Sequence, residues 1–199
     1  MKVLLVGAHG VIGSAVAREL GARHTLVSAG RSKGDVKVDI TDSASIRRMF
    51  EQVGRVDAVV SAAGNVHFAP LEDMTEQHFD IGLRDKLMGQ VNLAMIGRAW
   101  LNDGGSITLT GGILAEQPIR NGSSASLVNS ALEGFVRGAA IELPRGLRIN
   151  LVSPNVVQES LPQLAPFFRG FEAVPAARVA LGYSRSVEGH QTGQIYRVF

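Results

Sequence analysis

The apolar positions of this chain fall in short blocks that switch between two periods. Val3-Leu4-Leu5-Val6 is a continuous apolar run cut off by Gly7, the pattern of a strand buried on both faces. Val11, Ile12, Ala15, Val16 and Leu20 follow at helical spacing and predict a helix over 11–20. A second strand is predicted at 24–29 and a third at 37–40, before a helix that runs to Val53 with Thr41 or Ser43 as its cap. Val-Asp-Ala-Val-Val-Ser at 56–61 reads as the fourth strand, closed by Ala62-Ala63-Gly64.

The same rhythm continues downstream. Residues 75–101 have the length of two consecutive helices, and Asn102-Asp103-Gly104-Gly105 marks a turn before a strand at 106–110. A helix rich in small residues spans 124–143 and stops at Pro144, and a sixth strand over 147–152 stops at Pro154. Residues 160–182 hold Pro162, Pro166, Pro175 and Phe167-Phe168, so short helices and loops are expected there, part of a lid at about 156–185. Residues 192–198 supply a seventh strand. Strands alternating with helices imply right-handed crossovers, hence one α/β domain over 1–199: a Rossmann-type doubly wound fold with a parallel seven-stranded sheet and helices on both faces.

Composition narrows the function classes. A chain of 199 residues, 45% hydrophobic, buries a core as one domain. Twenty Lys and Arg against 18 Asp and Glu leave a net charge of only +2, too shallow for a nucleic-acid surface, so no nucleic acid is expected as partner. The absence of cysteine excludes disulfides and thiolate ligands or nucleophiles and gives no sign of an oxidising compartment. Only four apolar residues separate Lys2 from Gly7, which reads as a strand rather than a leader, and no stretch has the length to cross a bilayer. A cytoplasmic protein without a membrane partner is the expectation. His67 and His78 lack a recognisable ligand spacing, so no metal is expected.

The chemistry concentrates at strand ends. In Gly7-Ala8-His9-Gly10-Val11-Ile12-Gly13 a strand turns into a helix through three glycines, an arrangement in which bare amides and the helix N-terminus face a pyrophosphate. An ordinary strand-to-helix turn is the alternative, but the first turn of an alternating chain is where such a fold holds its dinucleotide. Gly7, His9, Gly10, Val11, Ile12 and Gly13 are therefore candidate cofactor contacts. The second strand ends in Ala29-Gly30-Arg31-Ser32, with no carboxylate for the ribose hydroxyls. Arg31 can instead pair with a 2′-phosphate while Ser32 donates a further hydrogen bond, which favours NADP over NAD, unless Arg31 is a solvated loop residue. Asp39, beside Ile40, either accepts from the adenine amino group or caps the following helix.

Taken in order, these features resemble the short-chain dehydrogenase/reductase family over essentially the whole chain. The matching segments are the glycine turn in its compact Gly-x-x-Gly-x-x-Gly form, Val38-Asp39-Ile40-Thr41-Asp42, Ala62-Ala63-Gly64, Gly105-Ser106-Ile107-Thr108-Leu109-Thr110, Ala131-Leu132-Glu133-Gly134, Arg148-Ile149-Asn150-Leu151-Val152-Ser153-Pro154 and Thr192-Gly193-Gln194. The resemblance implies hydride transfer between a nicotinamide and a small carbonyl or alcohol substrate. It also implies cofactor contacts at Ala62, Ala63, Gly64, Pro154 and Val156, and a homodimer or homotetramer built on the small-residue helix.

The resemblance breaks at the catalytic side chains. The family's Ser, Tyr and Lys positions fall on Gly112, Ala125 and Asn129, and the only tyrosines, Tyr183 and Tyr196, lie far downstream. The helical Asn position falls on or next to Lys86, so Lys and Asn look exchanged between two helices, unless Lys86 lies on a solvated face. Lys86, Thr110, Ser126 and Asn129 are the candidate catalytic residues, with Lys86 also within reach of the nicotinamide ribose. Asn155 stands where the family has a glycine. An NADP-dependent reductase with a non-standard proton donor and a catalytically inactive NADP(H)-binding sensor or scaffold are both expectations, with non-redox acid-base chemistry as a third.

Overall fold

In the computed structural model, which describes residues 1–199, the first apolar run forms β1 (Lys2–Val6), an interior strand with four of its five residues buried. Around it the sheet runs β3 (Val36–Lys37), β2 (Thr25–Gly30), β1, β4 (Val56–Ser61), β5 (Leu101–Thr110), β6 (Arg148–Pro154) and β7 (Ile195–Val198), all parallel. The order reverses between β1 and β4. That is the switch point at whose carboxyl edge a doubly wound sheet opens a crevice.

Each face of the sheet is covered by its own helices. On one side α2 (Ser43–Val53), α4 (Met88–Gly97) and α5 (Ser123–Ala140) bury Phe50, Leu93 and Leu132 in a cluster with Leu4, Val59, Ile107 and Leu151. On the other, α1 (Val11–Gly21) and α7 (Ala176–Glu188) bury Val16, Leu20, Val179 and Tyr183 against Val3, Leu5 and Val60. Alternate residues of β1 therefore feed opposite cores, as the period of a strand requires. A third, smaller cluster of Ile113, Leu114, Ala125, Val156 and Phe168 sits beyond the carboxyl ends of β5 and β6.

Several boundaries differ from the sequence reading, each for a local reason. The third strand pairs only through Val36 and Lys37, because Asp39 turns the chain by accepting from the Thr41 N–H. Asp42, not Thr41 or Ser43, caps α2, its side chain accepting from Ala44 N at 2.8 Å. Residues expected as two helices fold as α3 (Glu76–Ile81), a π-helical segment (Gly82–Leu87) and α4, and Leu101 belongs to β5. The turn residues Asn102–Gly105 form an irregularity inside β5, where the register with β4 shifts between Val56 and Ala58. The expected lid is also shorter: after the brief α6 (Leu161–Leu164), α7 begins at Ala176 and packs against α1 rather than over the cleft.

Candidate active site

Every predicted contact for the diphosphate lies on the β1–α1 turn. Gly7 has φ +85°, and a Cβ there would stand 2.6 Å from the Ala62 carbonyl, so the turn closes against the end of β4 only with glycine. Gly13 is buried and a Cβ on it would strike the Gly7 carbonyl. Gly10, by contrast, is exposed, and a Cβ there would meet nothing nearer than 3.5 Å. It is the N-cap of α1 with no side-chain capping bond, so the first amides of the helix point outward beside a position that any larger residue would fill. Val11 is exposed and His9 faces solvent on the same turn. This cradle fits a diphosphate.

Next to it, Val6, Gly7, Gly30, Val38, Ile40 and Ala63 line a cleft of about 170 Å³, with Arg31, Gly64, Asn65 and Asp85 at its polar side. The apolar wall suits a purine. Arg31 stands 3.2 Å from Asp39 and 3.9 Å from Asp85, and Asn65 donates to Asp85 at 2.8 Å. Asp39 accepts from Thr41 N and Thr41 Oγ1 as well as from Arg31, all at one oxygen. The two Thr41 bonds, ahead of Arg31, hold its carboxyl below the usual range. Ser32 is exposed, and its carbonyl accepts from the Lys37 amine, which brings a second cation to this rim.

Lys86 occupies the π-helical segment, which turns its side chain inward. Gly64 has φ +124° and lies flat on it: a Cβ there would be 2.8 Å from Lys86 Cγ. The Lys86 amine donates to the Gly111 carbonyl at 3.0 Å and has no carboxylate in ion-pair range. Removal from water lowers its pKa to about 8. On the neighbouring peptide, a Cβ at Gly112 would sit 3.0 Å from Asn129 Nδ2, and Asn129 is buried with Oδ1 lacking a partner. Lys86 and Asn129 thus flank the same Gly111-Gly112 unit at the end of β5.

The other candidates lie elsewhere. Thr110 Oγ1 donates to the Ser61 carbonyl and accepts from the Tyr183 hydroxyl at 2.6 Å, so its bonds are spent inside the fold. Ser126 lines a cleft at the start of α5, its Oγ buried without a partner. Pro154 ends β6 in register with Val198, and Val156 is buried with Ile113 and Phe168 beneath the segment beyond that strand. Asn155 ties that segment down by donating to the Glu172 carbonyl at 2.8 Å. The sequence reading gives no site role to Lys37, Asn65, Asp85, Gln90 or Tyr183. Only Tyr183 left a signal there, since Ala176, Val179, Ala180, Tyr183 and Val187 keep helical spacing.

The family model described as enoyl-(acyl carrier protein) reductase matches residues 6–193. The chain belongs to the short-chain dehydrogenase/reductase family. Among curated members of similar sequence, a hydroxynaphthalene reductase-like protein of Metarhizium brunneum is 30% identical over 132 residues, 63% of this chain and 49% of that protein. The chain thus spans about half the length of that relative. Versicolorin reductase 1 of Dothistroma septosporum is 28% identical over 186 residues, 80% of this chain and 71% of the relative. Of solved structures, the protein lin1944 from Listeria innocua superposes with a TM-score of 0.99 at 52% identity, covering 100% of both chains. A small-chain dehydrogenase solved in complex with NADPH superposes with a TM-score of 0.88 at 24% identity, covering 100% of this chain and 96% of that one, a likeness of fold.

Proposed function

We propose that the chain is an NADP-dependent oxidoreductase acting on a small carbonyl or alcohol, with Lys86 as its proton donor. When bound, the cofactor supplies the hydride at nicotinamide C4. The chain's own residues do the rest. The first amides of α1, at Val11, Ile12 and Gly13, hold the diphosphate, since the Gly10 amide is spent on the Gly7 carbonyl, and Arg31 with Lys37 holds the 2′-phosphate. Ile40, Val38 and Ala63 pack the adenine, while Gly64, Pro154 and Val156 border the nicotinamide end. The Lys86 amine gives its proton to the carbonyl oxygen, and Asn129 hydrogen-bonds beside it. In this reading the usual phenol position is Ala125 and the usual hydroxyl position is Gly112.

One observation carries the reading: an amine with no carboxylate partner, its pKa lowered by burial to about 8, is held at the carboxyl end of β5 with a single protein acceptor. Only the protonated amine is an acid. Carbonyl reduction is therefore level below about pH 8 and falls as pH rises through that value. NADPH oxidation over a panel of aldehydes and ketones tests this. Lys86→Ala is expected to lower kcat/KM by roughly 10²- to 10⁴-fold, the worth of a positioned acid. Wild-type turnover that ignores pH across this range, or survives in Lys86→Ala, removes Lys86 from the role.

A second reading follows from the apolar cluster at the same edge. Ala125 packs with Ile113, Leu114, Val156 and Phe168, a methyl where the family has its phenol, as a protein that binds NADP(H) without turnover would have. Tight NADPH binding with no oxidation of any panel member favours that sensor. With either reading we propose a cytoplasmic homodimer or homotetramer.

A further inference from the structure

Two clefts of about 910 and 510 Å³ share Pro70, Pro118, Ile119, Arg120 and Asn121, and so form one groove. It lies between the segments that follow β4, β5 and β6, on the side of the sheet edge where doubly wound folds bind ligands. One end reaches Ser123 and Ser126 at the start of α5, and the other reaches Phe167, Arg169 and Phe171 beyond α6. Phe68 packs across to Phe167 with ring centroids 6.2 Å apart, which joins the β4 segment to the lid.

The charges in this groove are unbalanced. Arg120 and Arg169 are exposed and neither enters an ion pair, although ten other pairs hold arginine or histidine side chains elsewhere on the molecule. Glu72 is the one carboxylate lining either cleft. The loop carrying Arg120 is held in place: Asn121 takes φ +66° and its carbonyl accepts from Ala69 N at 3.2 Å, tying it to the β4 segment. The next helix, α5, follows Gly122 as its N-cap, without a side-chain cap or an acid in its first turn, which adds a positive end to the same wall. A groove of mixed lining, in which Ile119, Phe167, Phe171 and three prolines stand beside two guanidinium groups without ion-pair partners, recognises an anion on an apolar stem.

We propose that this groove binds the carboxylate of an aromatic or apolar carbonyl substrate through Arg120 and Arg169. The proposal rests on the reductase reading for the fate of the carbonyl, but not for the binding itself. The test uses the full chain and two probes, 4-formylbenzoate and its methyl ester. Calorimetry with NADP⁺ present is expected to show 4-formylbenzoate bound at least about tenfold more tightly than the ester, the scale of a charge-assisted pair. NADPH oxidation is expected to show the same preference in kcat/KM, carried by KM. In Arg120→Ala/Arg169→Ala the preference collapses toward one, and in the control Arg47→Ala, on the far surface of α2, it stays. Equal binding of acid and ester by the wild-type chain, or a preference that survives the double substitution, overturns the proposal. A separate fluorescence titration with NADPH alone reads the cofactor assignment. Loss of that signal with acid binding intact breaks the reductase reading and leaves the groove standing.

Discussion

A lysine amine drawn out of water without a carboxylate is costly, and Lys86, half-buried on the Gly111 carbonyl just beyond β5, bears part of that cost. Arg31 is the opposite case, an exposed guanidinium between two carboxylates, Asp39 and Asp85. A 2′-phosphate arriving there must compete with those carboxylates, helped by the Lys37 amine beside Ser32. Arg31→Ala is therefore expected to weaken NADPH about tenfold, while NADH changes by less than about threefold, since only the former carries the phosphate. Fluorescence titrations with both cofactors decide it, and equal losses would make Arg31 a structural partner of Asp39. That Ala29-Gly30-Arg31-Ser32 carries no acid is legible in the residues themselves, yet the fold brings the Asp39 and Asp85 carboxylates to that same rim. The Asp85 contact is not legible, because it joins segments far apart in sequence that no local pattern relates.

At the scale of elements, legibility tracked the period. β1 and β4 are short apolar runs with glycine or small residues at their ends, and they form within a residue of where those runs sit. Lys86 defeated the period because the π-helical segment Gly82–Leu87 advances each side chain differently from an α-helix, so no helical wheel fixes its direction. The helix α7 was hidden by its neighbours: Pro175 and the prolines before it suggested loop, although a proline at the N-terminal boundary leaves a helix intact. Its consequence is a buried link between layers. Tyr183 on α7 donates to Thr110 on β5, Thr110 donates to Ser61 on β4, and Gln90 on α4 bonds both Thr110 and the Lys86 carbonyl. Burial pushes the Tyr183 phenol well above its ordinary pKa, so it stays a neutral donor. Tyr183→Phe removes that donor while Thr110 keeps Ser61. The expected loss is about 1 kcal/mol in urea unfolding, and an unchanged midpoint would mean the link adds no stability.

At the scale of the whole molecule, the sheet and its two cores followed from alternation alone, but the outer surface has an unfinished side. α4 carries no charged residue from Met88 to Gly97, and a helix without a polar face is one covered on both sides. Its inner side packs on the sheet through Leu93 and Ala94, while Met88 and Met95, two turns apart, are 44% and 43% exposed. On α5, part of the same layer, Leu127 is 46% exposed, and Gly134 and Gly138 meet nothing within 4 Å of where a Cβ would be. Packing within one chain thus leaves those glycines uncontacted on their outer side, whereas Ala139 and Ala140 are partly packed against the core. The small residues let a second helix come close, and the exposed apolar side chains gain from being covered. Sedimentation velocity at micromolar concentration should therefore find a dimer or tetramer. Met95→Glu/Leu127→Glu, which puts two carboxylates on the face while leaving the core intact, should shift it to monomer without loss of the helical signal by circular dichroism. A wild-type chain that sediments as a monomer at tens of micromolar would leave this face open to water, and the absence of charge on α4 would then need another cause.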